Sequence, residues 1–158
     1  MKKYEKLLES FLDEIVKYKS FNEKLEFVSK VLYNNMDNVI WAGFYLMDRE
    51  GDLVLGPYEG EPACVRIPVG EGVCGTCALL METKKVYDVS KFPGHIVCDQ
   101  SAKSELVVPI IKNDVCYGVI DIDSDVLNNF TVEDQNFVED MRNLIVNSID
   151  FKEINLDK

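Results

Sequence analysis

The chain is short of several things, and each shortage narrows what it can be. It has one histidine, His95, and one tryptophan, Trp41, in 158 residues. No apolar run approaches the roughly 20 residues that a bilayer-spanning helix needs. Basic residues are scarce: 17 Lys and Arg stand against 28 Asp and Glu, giving a formal net charge of −11 and a pI of about 4.5. Nucleic acid and anionic membrane repel such a surface, so neither is expected as a partner, and the charge serves solubility. The opening MKKYEKLLES starts basic but turns acidic and amphipathic, unlike a signal peptide. The five cysteines are odd in number. With no export signal, they are expected in a reducing cytoplasm as thiols, metal ligands or redox centres, not as a permanent disulfide framework. Repeats, linkers and low-complexity tracts are missing too. An apolar fraction of 47% with 10% aromatics excludes a disordered chain, and the length fits one domain over residues 1–158.

Periodicity gives the order of elements. Tyr4, Leu7, Leu8, Phe11, Leu12 and Ile15 form a helical stripe over residues 2–18. Leu25, Val28, Leu32 and Met36 mark a second helix over 22–36, with Asn22 as its cap. VIWAGFYLM at 39–47 is apolar throughout and reads as a strand buried on both faces. DREGD at 48–52 turns it into LVLGPYEG, the return strand. Residues 57–75 are rich in Gly and Pro and read mostly as loop, with a short strand around Val65–Ile67. Cys74 to Thr83 reads as helix and KKVYDV as a short strand. ELVVPII and VCYGVIDID are two strong strands joined at Lys112, Asn113 and Asp114. Thr131 with Asp134 resembles a capping box for a terminal helix carrying Phe137, Met141, Leu144, Ile145 and Ile149. The order predicts an α+β domain with an antiparallel sheet.

Candidate chemistry lies in the cysteines and in three carboxylates. Free cysteines are often simply buried, and Cys116, opening an apolar strand, fits that reading. Cys74 and Cys77 form CGTC at a helix start, where backbone N–H groups and the helix dipole favour a thiolate. A thioredoxin-like centre would want a βαβ context, which the loop-rich approach to Cys74 does not supply. CGTC followed by HIVC gives C-x2-C-x17-H-x2-C, a zinc-ligand pattern built from Cys74, Cys77, His95 and Cys98. In GVIDIDSD, Asp121 and Asp123 share one strand face; calcium is disfavoured because Val126 and Val132 stand where an EF-hand needs Gly and Glu. A strand end reaching solvent would explain both aspartates, and Glu105 at the start of its own strand, equally well. Should the three converge, they make a negative pocket selective for a cation such as an amino-acid ammonium. Trp41 and Tyr45, four apart on a strand, share a face and are either a cavity wall or core.

Taken together, WAGFYL, LGPYEGEPACVRIPVGEGVCG, VYDVSKFPGHIVCD, SELVVPI and GVIDIDS closely resemble the free methionine-(R)-sulfoxide reductases, a family built on the GAF domain, over about residues 39 to 137. The resemblance implies a GAF-like α+β fold, a six-stranded antiparallel sheet flanked by N-terminal and C-terminal helices. It implies thiol-dependent reduction of free L-methionine (R)-sulfoxide, without a cofactor or resident metal. By motif, Cys98 resembles the nucleophile, Cys64 the resolving thiol and Cys74 a second thiol. Glu105, Asp121 and Asp123 match the substrate-pocket carboxylates, and Trp41 and Tyr45 the aromatic wall near the substrate's methyl end. Crowding of like charges raises one carboxyl pKa, and Glu105 is assigned as the proton donor to the sulfoxide oxygen. The expected product at Cys98 is a sulfenic acid, resolved to an intramolecular disulfide by Cys64, Cys74 or Cys77. Thioredoxin is the implied reductant and a cytoplasmic homodimer the implied state. Cys77 and Cys116 fall outside the family's cysteine contexts. His95 either positions the thiolate or is structural. The competing reading is a GAF-type sensor of a small ligand or zinc without catalysis, and its zinc form leaves Cys64, Glu105, Asp121 and Asp123 without a use.

Overall fold

Helical spacing and caps set the two opening elements. The computed structural model describes residues 2–98 and 100–153. Helix α1 spans Lys2–Ile15 and buries Tyr4, Phe11 and Ile15. Leu12, expected in its apolar stripe, is 49% exposed, and α1 stops short of Val16. Helix α2 spans Phe21–Asn35, and its cap is Ser20 instead of the expected Asn22. Ser20 Oγ accepts the Glu23 N–H at 3.0 Å while the Glu23 carboxylate accepts the Ser20 N–H at 3.2 Å. That reciprocal S-x-x-E pairing satisfies two otherwise orphaned donors, which a lone Asn22 inside the first turn cannot do.

The strands are β1 (Val39–Met47), β2 (Asp52–Gly60), β3 (Arg66–Pro68), β4 (Lys84–Val86), β5 (Ser104–Lys112) and β6 (Val115–Ser124). They form one antiparallel sheet in the order β3-β2-β1-β6-β5-β4. The apolar run of β1 is central, and Trp41 through Leu46 are buried, as its composition predicts. β4 is shorter than KKVYDV suggests, because the Asp88 carboxylate accepts from the Ser90 N–H and hydroxyl and starts a 3-10 turn over Val89–Lys91. Such a local side-chain cap competes with strand pairing.

Alternate residues of the same strands feed two cores. One face presents Ala42, Phe44, Leu46, Leu106, Val108, Ile110, Ile120 and Ile122 to α1, α2 and the terminal helix α4 (Val132–Ser148). The Thr131–Asp134 capping box that starts α4 forms as the sequence predicts. The other face presents Trp41, Tyr45, Val107 and Val119 to helix α3 (Gly72–Leu80) and the loops around it. α3 begins two residues before the expected Cys74 and ends at Met81 in the left-handed region, short of Thr83. Each large apolar side chain buried this way contributes about 1.5–3 kcal/mol. No helix among the described residues is long and apolar enough to cross a membrane.

Candidate functional site

Strand register gathers the carboxylates. Residues paired directly across an antiparallel ladder point to the same face. Asp123 of β6 pairs with Trp41 of β1 on one side and Glu105 of β5 on the other. One rung along, Asp121 pairs with Gly43 and Val107. Glu105, Asp121 and Asp123 therefore converge on the α3 face. Glu105 and Asp121 are only 6% and 5% exposed, so neither is a strand end reaching solvent. A Cβ on Gly43 would overlap Tyr58, and the missing side chain lets the Tyr58 ring stack on Trp41 at 5.3 Å between centroids.

Above this floor lies a small cavity of about 30 Å3. The three carboxylates, Tyr45, Cys74, His95 and Cys98 line it, together with Ile67, Gly72, Val73, Ile96 and Ala102. Its wall is closed by a disulfide between Cys64, in the β2–β3 loop, and Cys98, whose Cα atoms are 5.2 Å apart. Ile96 holds the Cys98 loop against the start of α3, where a Cβ on Gly72 would meet it at 3.2 Å. Trp41 does not line the cavity; it stacks behind Tyr45 at 5.9 Å. The two aromatics also brace the Cys64 loop. Tyr45 OH donates to the Cys64 carbonyl at 2.9 Å, and Trp41 Nε1–H donates to the Glu61 carbonyl at 3.0 Å.

The GAF domain family pattern matches residues 31–149. A free methionine-R-sulfoxide reductase of Escherichia coli (strain K12) is 47% identical over 116 residues, covering 73% of this chain and 70% of that protein. Its counterpart in Saccharomyces cerevisiae is 49% identical over 118 residues, covering 73% of this chain and 66% of the relative. The chain belongs to the GAF-domain family of free methionine-R-sulfoxide reductases. Among solved structures, the free methionine-R-sulfoxide reductase from Neisseria meningitidis in complex with its substrate matches with a TM-score of 0.87 at 34% identity, over 92% of this chain and 87% of that one. Members of this family are oxidoreductases.

Burial dominates the electrostatics of this cavity. It pushes the Glu105 carboxyl well above the usual range, and the charges of Asp121 and Asp123 add to the shift. Burial raises Asp121 as well, opposed by hydrogen bonding from Glu105, Cys74 and Asp123. Asp121 Oδ1 is buried with no hydrogen-bond partner. Cys74 sits in the first turn of α3, where a stabilised thiolate was expected, yet burial first and Asp121 and Glu105 next push its thiol pKa well up. The desolvation of a fully buried sulfur beside carboxylates outweighs the helix dipole. Its Sγ lies 3.8 Å from Glu105 Oε2. Burial lowers the His95 pKa, against the pull of Asp121.

The remaining thiols stand apart from the disulfide. Cys77 points at the Val107 carbonyl, 3.7 Å from its Sγ, and does not line the cavity. Cys116 is buried with its Sγ 3.3 Å from the Gly118 carbonyl, as its place in an apolar strand suggests. Cys74, Cys77, His95 and Cys98 do not gather into a donor cluster among the described residues. The loop contact of Ile96 with Gly72 and the Tyr58 stack escaped the sequence reading. Only the glycines Gly43 and Gly72 hinted at such close approaches.

Proposed function

We propose that this chain reduces free L-methionine (R)-sulfoxide to L-methionine, with Cys98 as nucleophile and Cys64 as resolving thiol. The observation that carries the reading is the Cys64–Cys98 disulfide at the wall of a cavity floored by three acidic residues. In the reduced state the substrate ammonium pairs with Asp121, whose Oδ1 lacks a partner, and with Asp123. Glu105, held protonated by burial, donates to the sulfoxide oxygen. The Cys98 sulfur then attacks the sulfoxide sulfur and forms a transient S–S bond; the hydroxyl moves to Cys98 as the S–O and S–S bonds break, leaving a sulfenic acid. The substrate sulfur gains two electrons and leaves as methionine, while the proton lost by Cys98 restores the acid. Cys64 displaces water from the sulfenic acid and closes the disulfide. A thioredoxin-class dithiol opens it again. One sulfoxide and one dithiol thus yield methionine, water and a disulfide. A cavity of about 30 Å3 holds about one water, not an amino acid, so substrate enters after reduction frees the Cys98 loop.

Restriction to the free amino acid follows from the same floor, because a methionine inside a polypeptide has no ammonium to pair with Asp121. The reading takes residues 1–158 as one catalytic domain in a cytoplasmic homodimer, as the family resemblance implies, and light scattering tests the dimer. The decisive assay supplies each epimer of free methionine sulfoxide with dithiothreitol or a thioredoxin system. Methionine is expected from the (R) epimer alone. Cys98→Ser is expected to lower turnover by about 10^3-fold or more; full activity in that variant would remove Cys98 from its role. Cys64→Ser is expected to complete one turnover and accumulate a sulfenic acid that dimedone traps.

A further inference from the structure

Donors of two chemical kinds meet on the cavity floor. The Cys74 sulfur, a Glu105 oxygen and an Asp121 oxygen all lie within 4.8 Å of one another. Cys74 Sγ and Glu105 Oε2 are 3.8 Å apart. A tetrahedral zinc, with bonds of about 2.3 Å to sulfur and about 2.0 Å to oxygen, spaces such a pair by about 3.5 Å. Asp121 adds an independent pointer: it is 5% exposed, it lines the cavity, and its Oδ1 has no hydrogen-bond partner. A buried carboxylate oxygen in that condition lacks a cation or a proton donor. The three residues are carried by α3, β5 and β6, so the site is held by packed elements and not by a mobile loop.

A second acidic group shows the contrast. Asp48, Glu50 and Asp52 also bring donors within 4.8 Å at the β1–β2 turn. There, Asp48 Oδ1 accepts the Glu50 and Asp52 N–H groups and Oδ2 accepts Arg66 Nη1, so its oxygens already have donors. That group is a braced turn, and it offers no sulfur.

We propose that Cys74, Glu105 and Asp121 form a binding site for a soft divalent cation of the zinc class, which takes the place of the substrate ammonium and blocks the pocket. The blocking half rests on the proposed function; the binding half does not. One thiolate with two carboxylates favours zinc, cobalt or cadmium over magnesium and calcium, which seek all-oxygen cages. Water or the His95 imidazole, which lines the same cavity, completes the coordination. The ion is a reversible ligand and takes no part in the redox step. Of the four zinc ligands that the sequence spacing suggests, this set keeps Cys74, with His95 at hand as the alternative to water.

The test uses tag-free protein with the Cys64–Cys98 disulfide closed, titrated with Co2+ and then Zn2+. Wild type is expected to give a thiolate-to-cobalt charge-transfer band that Zn2+ abolishes by displacement. Cys74→Ala is expected to lose the band, Asp121→Asn to weaken binding by about tenfold or more, and Glu50→Gln to change nothing. No band in folded wild-type protein overturns the proposal without relying on any variant, and so does an undiminished band in a Cys74→Ala variant with a native circular dichroism spectrum. After reduction, Zn2+ is expected to raise the KM for the sulfoxide reversibly, with recovery on chelation. A metal that binds through Cys74 yet does not compete with L-methionine overturns the blocking half alone. An absent reductase activity would count against the proposed function and leave the cobalt band as a separate result.

Discussion

The two faces of the sheet are built from the same strands and do opposite things. Beyond the slip at Tyr117, even-numbered residues of β5 and β6 such as Leu106, Val108, Ile120 and Ile122 are fully buried against the helices. The polar groups on that side are satisfied: Ser29 Oγ donates to the Leu25 carbonyl at 2.9 Å and Ser104 Oγ to the Val126 carbonyl at 2.6 Å. Odd-numbered neighbours put Glu105, Asp121 and Asp123 on the opposite face, where Glu105 and Asp121 are almost as buried and Asp121 keeps an unpartnered oxygen. One face supplies the free energy that the other face uses up. The separation is by residue parity, not by domain, and it lets a small protein carry a buried acidic pocket on a stable frame.

Four variants test that division, from the largest expected effect down. Phe44→Ala empties a site of zero exposure on the helix-packed face. It is expected to cost about 3–5 kcal/mol of unfolding free energy, read by denaturant titration, while kcat below the melting transition stays near wild type. A large kcat loss would mean that the two faces are not independent. Glu105→Gln is expected to do the reverse, lowering kcat by about 10^2-fold or more with little loss of stability.

The same residue gives a pH signature. Burial lifts the folded Glu105 pKa well above its ordinary value of 4.5, so above pH 4.5 the folded state holds a proton that the unfolded chain has lost. Stability from this group is therefore fully present below pH 4.5 and declines as pH rises towards the folded pKa. The wild-type slope in that window should flatten in Glu105→Gln, as measured by unfolding across a pH series.

Asp121→Asn should separate function from stability in sign. Removing a buried charge whose Oδ1 has no partner is expected to raise stability by about 1 kcal/mol. The same change should raise KM for the sulfoxide, since the ammonium loses its partner. A drop in both quantities would show that Asp121 braces the sheet. The smallest effect is expected from Tyr45→Phe, which deletes the hydrogen bond to the Cys64 carbonyl. The net value of such a bond is about 1 kcal/mol, so disulfide closure after the first turnover should slow by about fivefold. Stopped-flow trapping of the sulfenic acid separates that step from sulfoxide reduction, which should be unchanged.

Much of this was legible in the sequence where the signal is local. The continuous apolar run at β1 announces a strand covered on both sides, and Thr131 with Asp134 announces the α4 cap. The two-residue period of GVIDIDS places Asp121 and Asp123 on one face, but their burial depends on what packs above them, which alternation does not encode. The thiol of Cys74 shows the same limit. Its place in the first turn of α3 suggests a thiolate, and only the packing reveals the desolvation that reverses the sign. The bond between Cys64 and Cys98 spans 34 residues, and no spacing rule selects that pair over Cys74 or Cys77. The hydroxyl of Tyr45, a residue assigned by resemblance to a substrate wall, tethers the Cys64 loop.

The β5–β6 hairpin carries a phase. Asn113 and Asp114 both adopt positive φ, 53° and 64°, which makes a tight two-residue turn. Just beyond it the ladder slips: Ile111 faces Cys116, but Ile110 faces Gly118, leaving Tyr117 as an extra residue. Gly118 sits at φ 151°, with the Tyr45 backbone so near that a Cβ would overlap it. A sheet repeats every two residues, so one inserted residue inverts all that follows. In this hairpin the inserted residue puts Tyr117 with the helix-packed core and leaves Val119, Asp121 and Asp123 facing the pocket. The acidity of the pocket is thus set by a frame shift at the far end of the hairpin. Deleting Tyr117 would leave the residues of the pocket in the chain but turn the carboxylates of Asp121 and Asp123 into the wall of the helical core.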